Sequence, residues 1–453
     1  MLKDIVILAA GSGTKIWPYN GVRNKTMIPV ANKPILAYNI DTAIELGIRN
    51  ITVVVGKFPN EATHYFADYE NVSFIKAQNS NSAVDSLLLA EETCNKLSGF
   101  AVLYGDTIIQ KNDLKKLLES SAKSVLVSKL KEPTGNVIGT SVTDGMIEGI
   151  LGHPRESITH VFAGFHFDKE IWNFLHNTDD IMRNLEVGMM PPVERFIEST
   201  VSDMIRNGHS YAALETKEAF FDIDKPWHIL EANEESISIV CSQLTKNIMG
   251  EGAAIDKTAD IRGFVKLGKN SKIGRNVILE GNIVVGENTN IDNGALIQGN
   301  VVIGNDVFVG NYCFVASGSS IADECFVGHA SEFWGLLMKR VYLYHYMEMY
   351  GIIGENTDIG AGTLCGTLRF DDGSATHNVK GRREVPRCHS DAIYLGDFSR
   401  TGVNAILLPG IKTGVNSLVG PGVILSKDLP DRKAVFVKQE QELRNWGPER
   451  YGW

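Results

Sequence analysis

A glycine-rich turn near the start of the chain has residue types that suit phosphate binding. Residues 8–15 read Leu-Ala-Ala-Gly-Ser-Gly-Thr-Lys and follow an apolar run. Ligands of open α/β sheets bind beyond the carboxyl ends of the strands, and small residues let backbone N–H groups approach phosphate oxygens closely. Ile16 stands where the dinucleotide fingerprint needs its third glycine, and no Walker A ending follows the turn. The turn therefore predicts a phosphate site of another kind, with an ordinary tight turn as the rival interpretation.

The elements that would hold this turn belong to an α/β domain over residues 1–225. Apolar runs predict buried strands, and helical segments alternate with them along the chain. This alternation predicts a doubly wound, largely parallel sheet. The predicted strands are Ile5–Ala9, Ile51–Val55, Val72–Ile75, Phe100–Tyr104 and Ser124–Ser128, and the predicted helices are Leu36–Leu46, Ala83–Leu97 and Asp113–Ser121.

A six-residue repeat dominates the second half of the chain, where one aliphatic residue recurs every six positions, thirteen times in succession. A short fixed period marks a solenoid. Three six-residue units would make one coil of a parallel β-helix, with the aliphatic side chains stacked inside. Glycines beside them, such as Gly268 and Gly304, are expected to supply positive φ at the corners. The repeated positions are Ile255, Ile261, Leu267, Ile273, Leu279, Val285, Ile291, Ile297, Ile303, Val309, Val315, Ile321 and Val327.

The phase of the repeat returns after two interruptions, resuming at Ile353 and again at Leu395. Loops extruded from a stacked coil often carry function, so we interpret residues 328–352 and 366–394 as insertions. Pro226 opens a polar helix that we interpret as a connector. The predicted organisation is an α/β domain (1–225), a connector (226–252), a β-helix (253–428) and a C-terminal tail (429–453).

Segments that follow the turn resemble the signature of the sugar-1-phosphate nucleotidylyltransferase family. Lys25 and Lys33-Pro34-Ile35-Leu36 come at the family's spacing, and residues 222–233 resemble its D-[IV]-G-T-P segment with the later A-N. The two-domain order resembles that of the bifunctional proteins that make UDP-N-acetylglucosamine. The tracts that look closest to the archaeal-type members are Thr367–Asp371, Lys380–Arg383 and Thr401–Asn404. The resemblance implies a Rossmann-like nucleotidyltransferase domain followed by a left-handed parallel β-helix of hexapeptide repeats.

The resemblance also implies roles in nucleotidyl transfer to a sugar 1-phosphate. Lys15 would offset charge on the leaving pyrophosphate, and Lys25 would sit between the reacting phosphates. Asp106 and Asp222 would hold Mg²⁺, which prefers carboxylate, phosphate and water oxygens. A solvated surface charge or turn acid is the rival interpretation at each of these positions. The implied nucleotide-binding residues are Leu8, Ala9, Ala10, Gly11, Gly13, Gln78 and Gly105, and Gly164 would contact the sugar.

In the β-helix the resemblance implies an acyltransferase site between the subunits of a homotrimer, with acetyl-CoA as co-substrate. Ile353–Thr363 resembles the family's catalytic coil, and His345 is the candidate base that would deprotonate the attacking amine. A structural histidine in an aromatic cluster is the rival interpretation. Lys380, Arg382 and Arg383 would bind the phosphates of coenzyme A or of a sugar phosphate, with a merely solvated charged loop as the alternative.

Several pocket positions depart from the family pattern and leave three interpretations of the activity open. One is an enzyme that joins UTP or dTTP to a hexose or amino-sugar 1-phosphate, with a second activity as an amino-sugar-phosphate N-acetyltransferase. Another is a catalytically degenerate regulatory or assembly subunit that binds nucleotide sugars. The third is a protein in which only the acyltransferase works. The departures are Lys15, Asn24, Ser82, His153, Phe162 and Asp224 in the first domain and Thr367 in the second.

The composition limits the partners that this chain is expected to have. Its 453 residues, 43% apolar and 22% charged, are typical of a globular protein with two or three domains. A net charge of −10 argues against non-specific binding to nucleic acids or anionic membranes. Six cysteines without a Cys-x-x-Cys pair fit a reducing cytoplasm. We therefore expect a cytoplasmic protein without nucleic-acid or membrane partners.

Overall fold

A computed structural model describes residues 2–78, 80–94, 96–130, 137–152, 158–182 and 193–448. It contains an α/β domain, a long helix that follows it, and a parallel β-helix. His153 and the last five residues of the predicted tail, 449–453, lie outside the described residues, so the expectations for them stay predictions.

The α/β domain alternates helices and strands as its apolar pattern predicts. The helices are α1 (Ile35–Glu45), α2 (Pro59–Tyr65), α3 (Ala83–Leu88), α4 (Glu91–Cys94), α5 (Lys111–Glu119), α6 (Ile171–Leu175), α7 (Ile197–Arg206) and α8 (Pro226–Ser242), with 3₁₀ turns at Thr14–Ile16 and Lys25–Met27. The strands are β1 (Asp4–Ala9), β2 (Pro29–Val30), β3 (Lys33–Pro34), β4 (Asn50–Val55), β5 (Val72–Lys76), β6 (Phe100–Tyr104), β7 (Thr107–Ile108), β8 (Ser124–Lys129), β9 (Ile138–Thr143), β10 (Met146–Gly152), β11 (His160–Phe167), β12 (Ala212–Glu215) and β13 (Phe221–Asp222).

Strand β1 lies inside a mixed sheet whose order is β5-β4-β1-β6-β11-β8-β12-β10-β9. It pairs in parallel with β4 and β6, so that Ile5 lies opposite Ile51 on one side and Ala101 on the other. These strands are buried almost throughout, which explains why they read as continuous apolar runs. Strand β11 runs antiparallel between β6 and β8. The predicted doubly wound α/β fold is confirmed, but the sheet is mixed rather than largely parallel, because β9, β10 and β11 pair antiparallel to their neighbours.

The second half of the chain forms a β-helix of short parallel strands. Ile255 pairs with Ile273, 18 residues further on, so three six-residue units make one coil as predicted. The strands are β14 (Ile248–Met249), β15 (Ala254–Ile255), β16 (Asp260–Ile261), β17 (Val265–Leu267), β18 (Lys272–Ile273), β19 (Ile278–Leu279), β20 (Ile283–Val285), β21 (Asn290–Ile291), β22 (Leu296–Ile297), β23 (Val301–Ile303), β24 (Phe308–Val309), β25 (Phe314–Val315), β26 (Ser320–Ile321), β27 (Phe326–Val327), β28 (Glu332–Leu337), β29 (Tyr342–Leu343), β30 (Glu348–Ile353), β31 (Asp358–Ile359), β32 (Leu364–Cys365), β33 (His377–Val379), β34 (Arg382–Glu384), β35 (Ile393–Leu395), β36 (Arg400–Thr401), β37 (Ile406–Leu407), β38 (Lys412–Thr413), β39 (Leu418–Val419), β40 (Ile424–Leu425) and β41 (Ala434–Val435).

The glycines beside the aliphatic column have a different role from the one expected. Positive φ occurs at corner residues such as Asn270 and Asn288, a residue type that tolerates the left-handed region. Gly268 does not have positive φ; a Cβ there would lie 2.3 Å from the carbonyl oxygen of Gly286 in the next coil. Glycine is therefore required at position 268 because successive coils are too close there for a Cβ, and not because the chain turns a corner.

The expected insertion at 328–352 is wrong, because these residues continue the β-helix. Strand β28 pairs along its whole length with β30, so Glu332 lies opposite Glu348 in a coil shortened to 16 residues. Gly335 and Gly351 stack at this point with φ of 129° and 140°, and a Cβ on Gly335 would lie 2.1 Å from the Gly351 carbonyl oxygen. Two stacked glycines therefore let one strand run on across a corner, which breaks the six-residue phase without extruding a loop.

The interruption at 366–394 is a true insertion. Strand β30 pairs next with β35, so that Ile353 lies opposite Leu395, 42 residues further on. The extra residues include an antiparallel hairpin of β33 and β34, in which His377 pairs with Glu384. The β-helix therefore carries one inserted hairpin among its described coils.

The β-helix also holds the segment that follows the glycine-rich turn. The hydroxyl of Tyr19 donates to the carbonyl oxygen of Ile352 at 2.8 Å. The indole Nε1 of Trp17 donates to Asp431 at 2.9 Å. Arg23, 6% exposed, pairs with the fully buried carboxylate of Asp397. Because these contacts join residues of the first domain to late coils, the two domains share a continuous core.

Two further findings concern membrane spans and cysteines. No helix among the described residues is long and apolar enough to cross a bilayer. The six cysteines are free thiols, and all but Cys388 are buried.

Candidate active site

A cavity of about 490 Å³ opens where the parallel strands β1, β4, β5 and β6 end at their carboxyl sides. Its lining includes residues 8–12 of the glycine-rich turn and two of the four charged residues expected at the phosphates, Lys25 and Asp106, whereas Lys15 and Asp222 are not part of the lining. The sequence-predicted residues that line it are Leu8, Ala9, Ala10, Gly11, Gln78, Lys25 and Asp106. Lining residues that the sequence analysis did not single out include Ser12, Thr26, Gly56, Lys57, Ser86, Tyr104 and Glu194.

Close backbone contacts shape the glycine-rich turn. Gly13 has φ of 62°, and a Cβ there would lie 3.1 Å from the Cβ of Lys25. A Cβ on Gly56 would lie 2.4 Å from the carbonyl oxygen of Ala10, so only glycine fits at the end of β4. Gly105 packs against Ala9 in the same way, with a would-be Cβ at 3.0 Å. Gly56 was missed because its only signal is a glycine directly after an apolar strand.

Asn24 takes the place of the proline that the family carries before its second lysine. Its side-chain nitrogen donates to the carbonyl oxygens of Ala9 and Lys57, each at 3.0 Å. Its side-chain oxygen accepts from the backbone N–H of Thr26 at 3.0 Å and caps the 3₁₀ turn that carries Lys25. The departure therefore ties the lysine segment to the ends of β1 and β4.

A cluster of lysines and carboxylates lies at the cavity. Lys25, only 7% exposed, places its Nζ 2.5 Å from Asp106. Burial alone would lower the pKa of Lys25, but the charges of Asp106, Asp224 and Asp222 raise it well above its usual value. Asp224 lies 3.7 Å from the Nζ of Lys25 and 3.0 Å from that of Lys15. Asp224, which departs from the family pattern, therefore forms ion pairs with both lysines.

Asp106 lies in the turn directly before β7, and Asp222 lies on β13, the strand that pairs with β7. Asp222 is opposite Thr107, and the N–H of Ile223 donates to the carbonyl oxygen of Asp106 at 3.0 Å. The side chain of Asp222 is solvent-exposed, yet desolvation by the surrounding protein and the negative charges of Asp106 and Asp224 raise its pKa above the usual value. Two neighbouring carboxylates that resist joint ionisation fit a divalent cation, whose charge removes the repulsion.

The donor set of this pair suits Mg²⁺. Within the described ranges, no group of three or more His, Cys, Asp or Glu side chains is placed to hold a metal ion by itself. Mg²⁺ is usually bound by one or two carboxylates, and phosphate oxygens and water complete its coordination. Asp106 and Asp222 are therefore the residues that would hold it when the phosphates of a nucleotide are bound.

Tyr104 and Ser82 line the cavity from two different elements. Tyr104 ends β6, and its hydroxyl donates to the buried carboxylate of Glu198 on α7 at 2.7 Å. Ser82, which replaces a family glycine, caps α3 by accepting from the N–H of Asp85 at 3.0 Å. Gln78 follows β5 and also lines the cavity. The Ser82 departure therefore has a local structural reason.

The residues expected at the sugar lie in the interior of the sheet. Gly164 is in the middle of β11, where a Cβ would lie 2.9 Å from Leu103 and 3.0 Å from Leu117. Phe162 is buried, and its ring stacks on that of Phe165 with centroids 5.7 Å apart. Neither residue is among those that line the cavity. Tight packing is the structural reason for Gly164, and its contact with a sugar stays a prediction.

His345 lies in an exposed corner between β29 and β30. Its backbone carbonyl accepts from the N–H of Gly362 at 3.1 Å, and its ring lies edge-on to Tyr346 at 5.1 Å. Within the described part of the chain, no side-chain hydrogen bond or ion pair holds the imidazole. Its role as a base stays a prediction.

The basic hairpin β33–β34 lies against the first domain. Glu384 pairs with Lys225, next to Asp224, at 2.9 Å. The ring of His377 lies 5.1 Å from that of Trp227. Lys380, Arg382 and Arg383 are all exposed on this hairpin. The structure therefore joins the hairpin to residues that adjoin the lysine and carboxylate cluster.

Comparison with known proteins agrees with this architecture. Residues 4–238 match the nucleotidyl transferase family, and residues 282–317 match the bacterial transferase hexapeptide family of six repeats. The bifunctional protein GlmU of Methanococcus vannielii is 30% identical over 443 residues, covering 96% of this chain and 98% of the relative. A bifunctional sugar-1-phosphate nucleotidylyltransferase/acetyltransferase of Sulfurisphaera tokodaii is 22% identical over 93% of this chain and 97% of its own.

A solved structure of UDP-glucose pyrophosphorylase complexed with UDP-glucose is also similar, at 18% identity and a TM-score of 0.45, over 53% of this chain and 100% of that one. The family match covers more than half of the chain, and the hexapeptide match lies within the β-helix. The relatives extend over both domains. The chain belongs to the nucleotidyl transferase family, in the two-domain form that carries a hexapeptide β-helix and is shared with the archaeal bifunctional proteins.

Proposed function

We propose that this protein transfers a nucleotidyl group from a nucleoside triphosphate to a sugar 1-phosphate. The observation that supports this most directly is the cluster of Lys25, Asp106 and Asp222 beside the glycine-rich cavity. A phosphate oxygen of the sugar 1-phosphate attacks the α-phosphorus, the bond from that phosphorus to the bridging oxygen breaks, and pyrophosphate leaves. Such a reaction needs positioning and charge neutralisation more than covalent help.

Each residue at the cavity has a separate role in this reaction. Backbone N–H groups of residues 10–13 bind the β- and γ-phosphates, and Gln78 reads the base. Lys25 contacts both reacting phosphates, because it is held at the cavity by Asp106 and cannot lose its charge near neutral pH. Lys15 offsets charge on the pyrophosphate. Asp106 and Asp222 would hold Mg²⁺, which would supply charge stabilisation to the phosphate oxygens.

The proposed substrates are UTP or dTTP and a hexose or amino-sugar 1-phosphate, and UDP-N-acetylglucosamine is the product named by the family resemblance. Gly164 is proposed to lie near the sugar. The proposed compartment is the cytoplasm, where thiols such as those of this chain stay reduced.

A panel assay tests the proposal. Each nucleoside triphosphate is mixed with several sugar 1-phosphates, Mg²⁺ and the full chain, and pyrophosphate is measured. We expect one pair to turn over, and Asp106→Asn to remove the signal. If no pair exceeds the Asp106→Asn background while nucleotide sugars still bind, the protein is a regulatory or assembly subunit instead.

A second activity, N-acetyl transfer from acetyl-CoA to an amino-sugar phosphate, is proposed for the β-helix. Ile353–Thr363, which resembles the family's catalytic coil, includes β31, and the N–H of Gly362 donates to the backbone carbonyl of exposed His345. His345 would take a proton from the attacking amine at a groove between subunits of a trimer. Release of coenzyme A measures the activity, and an unchanged rate in His345→Ala would exclude this histidine as the base. Sedimentation equilibrium measures the trimer.

A further inference from the structure

The inserted hairpin has a fixed shape. Strands β33 and β34 are joined by a two-residue turn, Lys380-Gly381, with φ of 50° and 82°. Positive φ at both residues is the geometry of tight antiparallel hairpins. The N–H of Gly381 donates to the side chain of Asn378 at 2.9 Å and closes the turn. The position of Lys380 is therefore set by a defined turn rather than by a loose loop.

Contacts on both strands fasten the hairpin between the domains. On β34, Glu384 pairs with Lys225 at 2.9 Å, and both side chains are largely buried. On β33, the carbonyl oxygen of Asn378 accepts from the buried Lys412 at 2.9 Å. Because Lys225 directly follows Asp224, the hairpin is joined to the segment that carries the extra acid of the cluster.

The hairpin tip carries a positive charge that acts on an acid of the cavity. Glu194 lines the cavity. Desolvation raises the pKa of Glu194, and the positive charges of Lys15 and Lys380 both oppose this rise. The ion pair of Glu384 with Lys225 fastens the same hairpin beside Asp224. Lys15 is engaged by Asp224 at 3.0 Å. Lys380 is exposed and makes no ion pair with any residue that the structure describes.

The leaving pyrophosphate carries several negative charges, and Asp224 already takes up part of the charge of Lys15. Building on the proposed nucleotidyl transfer, we infer that the two domains share this site: Lys380 of the β-helix hairpin binds the β- and γ-phosphates of the triphosphate and the pyrophosphate that leaves. In this inference the hairpin binds phosphate at the first-domain cavity. The alternative, which the experiment must distinguish, is the predicted binding of coenzyme A by the same hairpin.

Lys380→Asn in the full chain tests the inference, because asparagine removes the charge and tolerates positive φ. Arg432→Asn is the matched control, since Arg432 is also an exposed cation at positive φ in the β-helix. We expect Lys380→Asn to raise the KM for the nucleoside triphosphate roughly tenfold, the loss of one charge-assisted phosphate contact. The KM for the sugar 1-phosphate and both constants of the control should stay within about twofold of the wild type.

Calorimetric titration with magnesium pyrophosphate separates this inference from the proposed function. Weaker pyrophosphate binding by Lys380→Asn supports the shared site, even if no substrate pair turns over in the wild type and the proposed function fails. Equal pyrophosphate binding and an unchanged KM for the triphosphate in Lys380→Asn overturn the inference. A variant that changes only the KM for acetyl-CoA overturns it too, and assigns the hairpin to the acyltransferase site.

Discussion

The carboxylate of Asp224 lies 3.0 Å from the Nζ of Lys15 and forms an ion pair with the lysine that is proposed to offset the charge of pyrophosphate. The same carboxylate lies 3.7 Å from Lys25. Desolvation works against the ionisation of Asp224, but the charges of Lys25 and Lys15 hold its pKa below the usual range. Asp224 therefore lies as an anion between the two lysines, and under the proposed function it would compete with the phosphates of an incoming nucleotide.

Asp224→Asn should bind nucleotide more tightly, because the amide keeps the shape of the side chain and removes the competing charge. A partly exposed ion pair is worth up to about 1 kcal/mol, so we expect the KM for the triphosphate to fall roughly three- to fivefold. Steady-state kinetics measure it. Asp260→Asn, which breaks an exposed ion pair with Arg262 in the β-helix, is the control and should have no effect. A higher KM in Asp224→Asn would show that the acid assists binding.

Removal of the metal should abolish nucleotidyl transfer, and Mg²⁺ should restore it. Losing only an outer-shell partner of a metal costs roughly 10- to 100-fold in affinity, so Asp222→Asn should raise the Mg²⁺ concentration for half-maximal rate by at least that much. Titration of the rate with Mg²⁺ after chelation measures both effects. An unchanged requirement in Asp222→Asn would remove Asp222 from the ligand set.

Arg23→Ala should destabilise the protein strongly. Removing the arginine leaves Asp397 as a fully buried carboxylate without its cation, held by the backbone N–H of Glu355 and exposed to the negative charge of that residue. Breaking a buried ion pair on one side costs about 3–5 kcal/mol in the free energy of unfolding. Denaturant unfolding followed by fluorescence measures it. Arg262→Ala breaks an exposed pair and should cost under about 1 kcal/mol.

The double variant Arg23→Met with Asp397→Leu distinguishes charge from packing. If an unpaired buried charge causes the loss, the double variant should recover most of the stability. Equal instability in the single and double variants would contradict this reason.

Stability should fall as the pH drops from about 6.5 towards 4, because of His377 at the domain interface. Its Nε2 donates to the carbonyl oxygen of Ser390 at 2.7 Å, and its buried Nδ1 has no hydrogen-bond partner among the described groups. Burial lowers the pKa of His377 to about 4, with the hydrogen bond to Ser390 and the charge of Asp391 opposing and the charge of Lys412 adding to the effect.

The unfolded chain protonates this histidine near its usual value of 6.5, whereas the folded chain does not until pH 4. Neutral His377 therefore makes its full contribution to the free energy of unfolding, up to about 3 kcal/mol, above pH 6.5. This contribution is lost as the pH falls towards 4. Free energies of unfolding at several pH values measure it. His377→Gln should flatten this part of the profile, and an equally steep profile in the variant would assign the loss to other groups.

The sequence predicts what depends on local pattern. The coils follow from an aliphatic side chain at every sixth position, and β1, β4 and β6 follow from apolar runs buried on both faces. The neighbours of the glycine-rich turn follow from the rule that ligands bind at the carboxyl ends of parallel strands. In each case a single physical requirement, such as burial at regular positions, leaves a local pattern in the sequence. Such a pattern can be recognised without knowledge of the fold.

Contacts between distant residues could not be predicted in this way. Arg23 and Asp397 are 374 positions apart, and neither residue type signals a buried pair. In the sequence, Asp224 is seen only as a replacement for a family glycine, and nothing there indicates that it lies between two lysines. The break in the repeat at 328–352 reads as a loop because a pattern cannot distinguish an insertion from a strand that crosses a corner.

The hydrogen bond from Trp17 to Asp431 joins positions 414 residues apart, and it holds the segment directly after the glycine-rich turn. During synthesis the amino-terminal domain emerges first and folds first. The segment around Trp17 nevertheless lacks this anchor until residue 431 has left the ribosome. A product of translation interrupted before residue 431 would therefore carry the residues proposed to bind phosphate without the contact that holds the segment beside them.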